Sequence, residues 1–180
     1  MAEQQVILVN EKDEPIGFME KLEAHEKAVL HRAFSVFIFN NKGEMLLQQR
    51  ATNKYHSPGL WSNACCSHPQ PGEETMMAAE RRLQEELGIQ IKIEKQFHFI
   101  YKAEFDNALT EHEFDHVFTG IYNFIPEVNK DEVKDTCYKS MNEIKQSMLS
   151  HPQKYTEWFK IAYPEIEKWW MKNFTSAIRE

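Results

Sequence analysis

Three clusters in this chain of 180 residues have the types and spacing to do chemistry. In Trp61-Ser-Asn-Ala-Cys-Cys-Ser-His-Pro69, an extended backbone would place Ala64, Cys66 and His68 on one face and turn Cys65 away. A thiol and an imidazole would then point into the same space. In Thr110-Glu-His-Glu-Phe-Asp115, Glu111 and Glu113 lie two apart, so on a strand they advance by roughly 7 Å along one face and can converge on one ion. Asp115 shares that face, one step further away. Between Glu74 and Leu87, Arg82 and Glu86 are four apart and share a helix face, with Arg81 and Glu85 as a neighbouring pair. Taken singly, each cluster has an ordinary structural reading: a small buried cysteine, a polar strand edge and two solvated ion pairs.

The surrounding pattern says what must position them. Val6–Asn10 reads as a short strand, and Arg32–Phe39 as a longer one ending at the turn Asn40-Asn-Lys-Gly43. Glu44–Arg50 returns as the second arm of a hairpin. A polar loop, Ala51–Gly59, leads into the extended segment Leu60–Cys66. From Glu74 to Leu87, Met76, Ala79, Leu83 and Leu87 recur at helical steps and predict one buried stripe, with Gly88 as the stop. Ile89–Ile93, His98–Phe105 and Glu113–Phe124 read as strands, with a turn-prone break at Asp106-Asn107. Met141–Trp158 and Pro164–Phe174 read as helical. Helices interleaved among mostly non-parallel strands predict an α+β sandwich.

The length fits one domain, residues 1–180, able to close a core around a buried site. A content of 42% hydrophobic and 27% charged residues is that of a globular protein without a disordered tail. A net charge of -7 disfavours a nucleic-acid binder, although a small anion could still bind where cations gather locally. The N-terminus lacks the pattern of a secretory signal, and no apolar run approaches the roughly 20 residues that span a bilayer, so a cytoplasmic protein with no membrane partner is expected. Three cysteines, two of them adjacent, predict free thiols. Cys65 and Cys137 read as small buried hydrophobes, and Trp61, Trp169 and Trp170 as core packing. His56, His98, His112, His116 and His151 read as surface or packing residues.

The stretch from Ser67 to Ile89 resembles the Nudix box, G-x5-E-x7-R-E-U-x-E-E-x-G-U, with Glu73, Arg81, Leu83, Glu85, Glu86, Gly88 and Ile89 in register. Ser67 replaces its first glycine, and Arg82 stands where the pattern has a metal-binding glutamate. Reversing that charge weakens a hydrolytic metal array, while a guanidinium one turn before Glu86 can hold a diphosphate that a metal bridges. Joined to Asn63-Ala-Cys-Cys-Ser-His-Pro69, this degenerate box is similar to the type I isopentenyl-diphosphate isomerase family, from Lys21 to Trp158.

The resemblance implies a Nudix-like mixed sheet sandwich flanked by helices, and interconversion of isopentenyl and dimethylallyl diphosphate through a carbocation-like intermediate. It implies a metal held by His25, His31, His68, Glu111 and Glu113; imidazole with carboxylate suits Zn²⁺ or Mn²⁺. His25 and His31, six apart, could not share one face of a regular helix. It further implies Cys66 and Glu113 as the proton-transferring pair, Tyr101 as the assisting tyrosine and Trp158 as the ring that stabilises the cation. Lys21, Arg50, Lys54 and Arg82 match its anion-binding positions, with Mg²⁺ bridging the diphosphate to Glu86. A monomer or weak homodimer is expected. The register of Glu73, Glu85 and Glu86 supports one alternative, a Nudix hydrolase of a nucleoside diphosphate-type substrate, and Arg82 argues against it.

Overall fold

The computed structural model describes residues 4–54, 57–105 and 109–177; His56 and the expected turn at Asp106-Asn107 lie outside them. Among the described residues nine strands form one mixed, curled sheet: β1 Gln5–Val9, β2 Pro15–Glu20, β3 His31–Phe39, β4 Met45–Arg50, β5 Trp61–Ser62, β6 Cys65–Ser67, β7 Glu94–Glu104, β8 Thr110–Ile121 and β9 Val133–Lys139. The helices are α1 Lys21–Glu26, α2 Thr75–Leu87, α3 Met141–Ser150 and α4 Glu157–Ala177. β3 is central. It pairs in parallel with β8 on one side, and antiparallel with β1, β6 and β4 at successive points on the other.

Strand alternation sorts β3 into two faces. Phe34, Val36 and Ile38 pack with Ala78, Ala79, Leu83 and Leu87 of α2, while Phe37 and Phe39 pack with Phe159, Tyr163 and Ile166 of α4 and with α3. Helices therefore cover both faces, the expected sandwich. Among the described residues no helix is long and apolar enough to cross a membrane.

Several elements depart from the sequence reading. Met76 is exposed, and the buried stripe of α2 begins at Ala78. Ile89–Ile93 alternates buried and exposed residues as a strand would, but it makes no ladder; pairing starts at Glu94 opposite Thr119. β7 begins before His98, and β8 runs from Thr110 to Ile121, so Phe124 lies beyond it. The helical reading of Met141–Trp158 breaks at Ser150, because the residue before Pro152 cannot continue the helix and Tyr155 instead bridges to Trp61. Pro164 lies inside α4 instead of starting it; the helix survives because Phe159, Ala162, Tyr163 and Ile166 are buried on both sides of the proline. β2, α1 and β9 had no sequence signal that periodicity could detect.

Candidate active site

One cavity of about 270 Å³ collects all but one of the predicted site residues. His25, His68, Tyr101, Glu111 and Glu113 line one part, with Lys21 on the same short helix as His25; Lys54, Arg82 and Glu86 line another, and Arg50, Cys66 and Trp158 complete the wall. The exception, His31, is fully buried and lies against the histidine and glutamate end.

The histidine corner depends on a change of element. His25 sits on α1, Ala28 adopts a left-handed φ of 53°, and Val29 N–H donates to the Ala24 carbonyl at 3.0 Å, so the chain reverses before β3 begins at His31. The two rings, which no single helix could bring together, have centroids 5.0 Å apart. Parallel pairing then sets His31 beside Glu113, and β6 brings His68 Nε2 to 2.9 Å from Glu113 Oε1. One potential ligand atom from each of His25, His31, His68 and Glu113 lies within 4.8 Å of all the others.

These residues fit a metal ion. His25 Nδ1 lies 2.5 Å from the Lys21 carbonyl and His31 Nδ1 2.8 Å from that of Val29, so each Nδ1 carries the proton and each Nε2 offers a lone pair. His31 Nε2 is buried without a hydrogen-bond partner, as is His68 Nδ1. Burial holds His68 neutral, its pKa lowered to about 3. Burial raises Glu113, and its hydrogen bond with His68 opposes that rise.

Glu111 stands outside that four-residue cluster, in hydrogen-bond reach of the same tyrosine as Glu113. Tyr101 Oη lies 2.9 Å from Glu111 Oε2 and 2.7 Å from Glu113 Oε2, offering a single proton to two carboxylates. Burial and the neighbouring Glu113 raise Glu111 well above its ordinary pKa.

At the other end, Arg82 Nη2 lies 2.6 Å from Glu86 Oε1 and 3.5 Å from Glu132 Oε2, and Lys54 pairs with the same Glu132 oxygen. Gln48 Nε2 donates to Glu86 Oε2 at 2.9 Å. Burial lowers the Lys21 ammonium, against the opposing pull of Glu113 and Glu111. The Arg50 guanidinium lies 5.2 Å from the centroid of the Trp158 ring.

Cys66 and Cys65 point to opposite faces, as alternation predicts. Cys65 joins the cluster under α2, while Cys66 packs on the other side and lines the cavity. Around Cys66 the contacts are Asn63 Oδ1 at 3.0 Å and Ser35 Oγ at 3.4 Å; Ser35 in turn donates to Asp115 Oδ2 at 2.7 Å. Burial and then the Asp115 charge push the thiol pKa up. Sequence reading missed Ser35, Ser62, Asn63, Gln48 and Glu132. Ser35 left a trace, as the one hydroxyl in the apolar run Ala33-Phe-Ser-Val-Phe-Ile-Phe39. Glu132 left none.

The NUDIX domain family model matches residues 29–159. The isopentenyl-diphosphate Delta-isomerase of Pectobacterium atrosepticum is 50% identical over 166 residues, covering 92% of this chain and 93% of that protein. Isopentenyl-diphosphate Delta-isomerase 2 of Aromatoleum aromaticum is 47% identical over 156 residues, covering 87% and 82%. A solved structure from Deinococcus radiodurans superposes with a TM-score of 0.69 at 19% identity, over 82% of this chain and 90% of that one. The MutT protein of Methanosarcina mazei superposes with a TM-score of 0.63 at 18% identity, over 77% and 94%. At those identities the structures speak for the fold alone.

Proposed function

This chain belongs to the NUDIX domain family and to the isopentenyl-diphosphate Delta-isomerases within it, and we propose that Cys66 and Glu113 are its proton-transferring pair. It is an enzyme that interconverts isopentenyl and dimethylallyl diphosphate. The alkene carries no heteroatom to polarise, so the reaction needs an acid, a base, a dry cavity and an electron-rich surface for a tertiary cation. In the forward direction Glu113 as the carboxylic acid, hydrogen-bonded to Tyr101, gives its proton to the terminal methylene and becomes the carboxylate, while Cys66 as the thiolate takes a proton from the adjoining CH₂ and becomes the thiol; the roles exchange in reverse. Trp158 offers its ring to the cation, worth roughly 2 kcal/mol or more when desolvated.

Lys21, Arg50, Lys54 and Arg82 bind the diphosphate, and Glu86 would hold Mg²⁺, which would offset its charge. His25, His31, His68, Glu111 and Glu113 hold a second ion, Zn²⁺ or Mn²⁺. Bound there, the ions would neutralise substrate charge at one end and fix the protonation of the carboxylates at the other. The observation that carries the reading is the convergence of Cys66, the Tyr101–Glu113 pair and the four cations on one cavity. The reading includes one catalytic domain over residues 1–180, cytoplasmic, monomeric or weakly dimeric, without nucleic-acid or membrane partners; the net charge of -7 speaks against a nucleic-acid partner.

Isopentenyl diphosphate incubated with the metal-loaded enzyme in D₂O should yield deuterated dimethylallyl diphosphate. Phosphate release without double-bond movement would sink the isomerase reading in favour of hydrolysis. Chelation should abolish turnover, and Mn²⁺ or Zn²⁺ added with Mg²⁺ should restore it, where Mg²⁺ alone does not.

A further inference from the structure

A buried chain of hydrogen bonds runs behind the cavity wall and joins two residues that the reaction uses. The Trp158 indole Nε1–H donates to Ser62 Oγ at 2.9 Å, and Ser62 Oγ–H donates to Asn63 Oδ1 at 3.0 Å. That same oxygen is the acceptor for the Cys66 thiol at 3.0 Å. Ser62, Asn63 and Trp158 are all buried.

The Asn63 amide has no freedom to turn. Its two N–H groups donate to the carbonyls of Val36 and Cys65, each at 3.0 Å, while its oxygen takes the thiol and the Ser62 hydroxyl. Two donors and two lone pairs are thereby all used. A flipped amide would set its oxygen against two carbonyls and its N–H₂ against two donors, so the oxygen faces Cys66 in every low-energy state. Ser62 is equally committed, accepting also from Thr156 Oγ1 at 3.2 Å. Thr156 is itself pinned, its N–H bonded to the Trp61 carbonyl at 3.0 Å.

We propose that Asn63 is a positioning residue for the isomerisation, its carboxamide oxygen fixing the Cys66 sulfur directly and the Trp158 ring through Ser62. The proposal rests on the reading of Cys66 as a proton-transfer group. The hydrogen bond holds Cys66 as the thiol, the form that ends the forward transfer and begins the reverse one, so the path of the proton at the sulfur is fixed, aligned with the allylic carbon and the empty orbital, while the ring faces the cation. Misalignment of sulfur and ring slows the chemical step without weakening the grip on the diphosphate, which other residues supply.

The test measures kcat and KM for isopentenyl diphosphate in Asn63→Ala, Ser62→Ala, the double variant and Cys66→Ala, with a thermal melt of each. Asn63→Ala should lower kcat on the order of 100-fold and Ser62→Ala roughly tenfold, with KM within about threefold of wild type. Because both act through one chain, the double variant should be no slower than Asn63→Ala alone. A rise in KM with kcat unchanged, or fully additive losses, would overturn the proposal. Should Asn63→Ala fail to fold, a folded Ser62→Ala with wild-type kcat would overturn it alone. Full activity in Cys66→Ala would remove the premise. An inactive Cys66→Ala beside a fully active Asn63→Ala would sink only the positioning role.

Discussion

On one face of β3 and β8 lie His31, Ser35, Glu113 and Asp115; on the other lie Phe34, Val36 and Phe118, and both sets are withdrawn from water. The back face is stabilised by apolar contact with α2 and has no polar side chain to satisfy among those three. The site face carries ionisable groups at the same burial, and each costs free energy unless it finds a partner. Some do, as Ser35 does with Asp115; others, His31 Nε2 and Asp115 Oδ1, do not. Two adjacent cysteines sample the two faces one residue apart. The difference teaches that burial alone does not mark a functional residue, whereas ionisable groups gathered on one buried face around a cavity do.

The comparison breaks if the two faces respond alike to mutation. Cys66→Ala removes a proton-transfer group and should lower kcat by about 10³-fold while the melting temperature stays near wild type. Isomerisation followed by proton NMR, beside a thermal melt, checks both. A large stability loss with activity retained would place Cys66 with the structural residues.

On the back face the order reverses. Leu83→Ala empties a fully buried position under α2 and should cost about 3 kcal/mol in urea unfolding, with kcat of the folded protein little changed. A cost below about 1 kcal/mol would mean that the α2 interface collapses freely around the gap.

A smaller effect separates the faces by pH. His116, on the back of β8, is held neutral by burial with a pKa lowered to about 4, against 6.5 in the unfolded chain. Between those values the unfolded state binds the proton and the folded state does not, so this contribution to stability is present above pH 6.5 and is lost as pH falls toward 4. His116→Phe should therefore gain on wild type by about 2 kcal/mol between pH 7 and 4.5, read from urea midpoints at each pH. If the two proteins keep a constant difference across that range, His116 is not the titrating group.

How much of this was legible in the residues depended on whether the signal was local. Alternation put Cys66 beside His68 and away from Cys65, and a period of three to four found α2 with its Gly88 stop. Cys66, Glu113 and the four cations came from the family resemblance, and all of them line the cavity. What stayed hidden depended on pairing between distant segments. The parallel ladder of β3 with β8 sets His31 against Glu113, and the left-handed Ala28 lets His25 meet His31; neither has a periodic trace. Ser35, Ser62 and Asn63 acquire meaning only once β6 lies against β3, β5 against β4, and Ser62 against Thr156 and Trp158 at the start of α4. Ile89–Ile93 shows the converse, a strand-like alternation created by burial without a ladder partner.

The smallest effect belongs to Cys65. Its thiol lies under α2 and contacts Glu86 Oε1 across 3.6 Å, a weak S–H contact beside the stronger Arg82 and Gln48 partners of the same carboxylate. Cys65→Ala removes one buried sulfur and should cost about 1 kcal/mol of stability. Glu86 keeps both stronger partners, so KM should rise no more than about twofold, and kcat should hold because the sulfur faces away from the reacting atoms. A kcat loss matching that of Cys66→Ala would show that the two faces are coupled through β6, and the separation drawn between them would have to be abandoned.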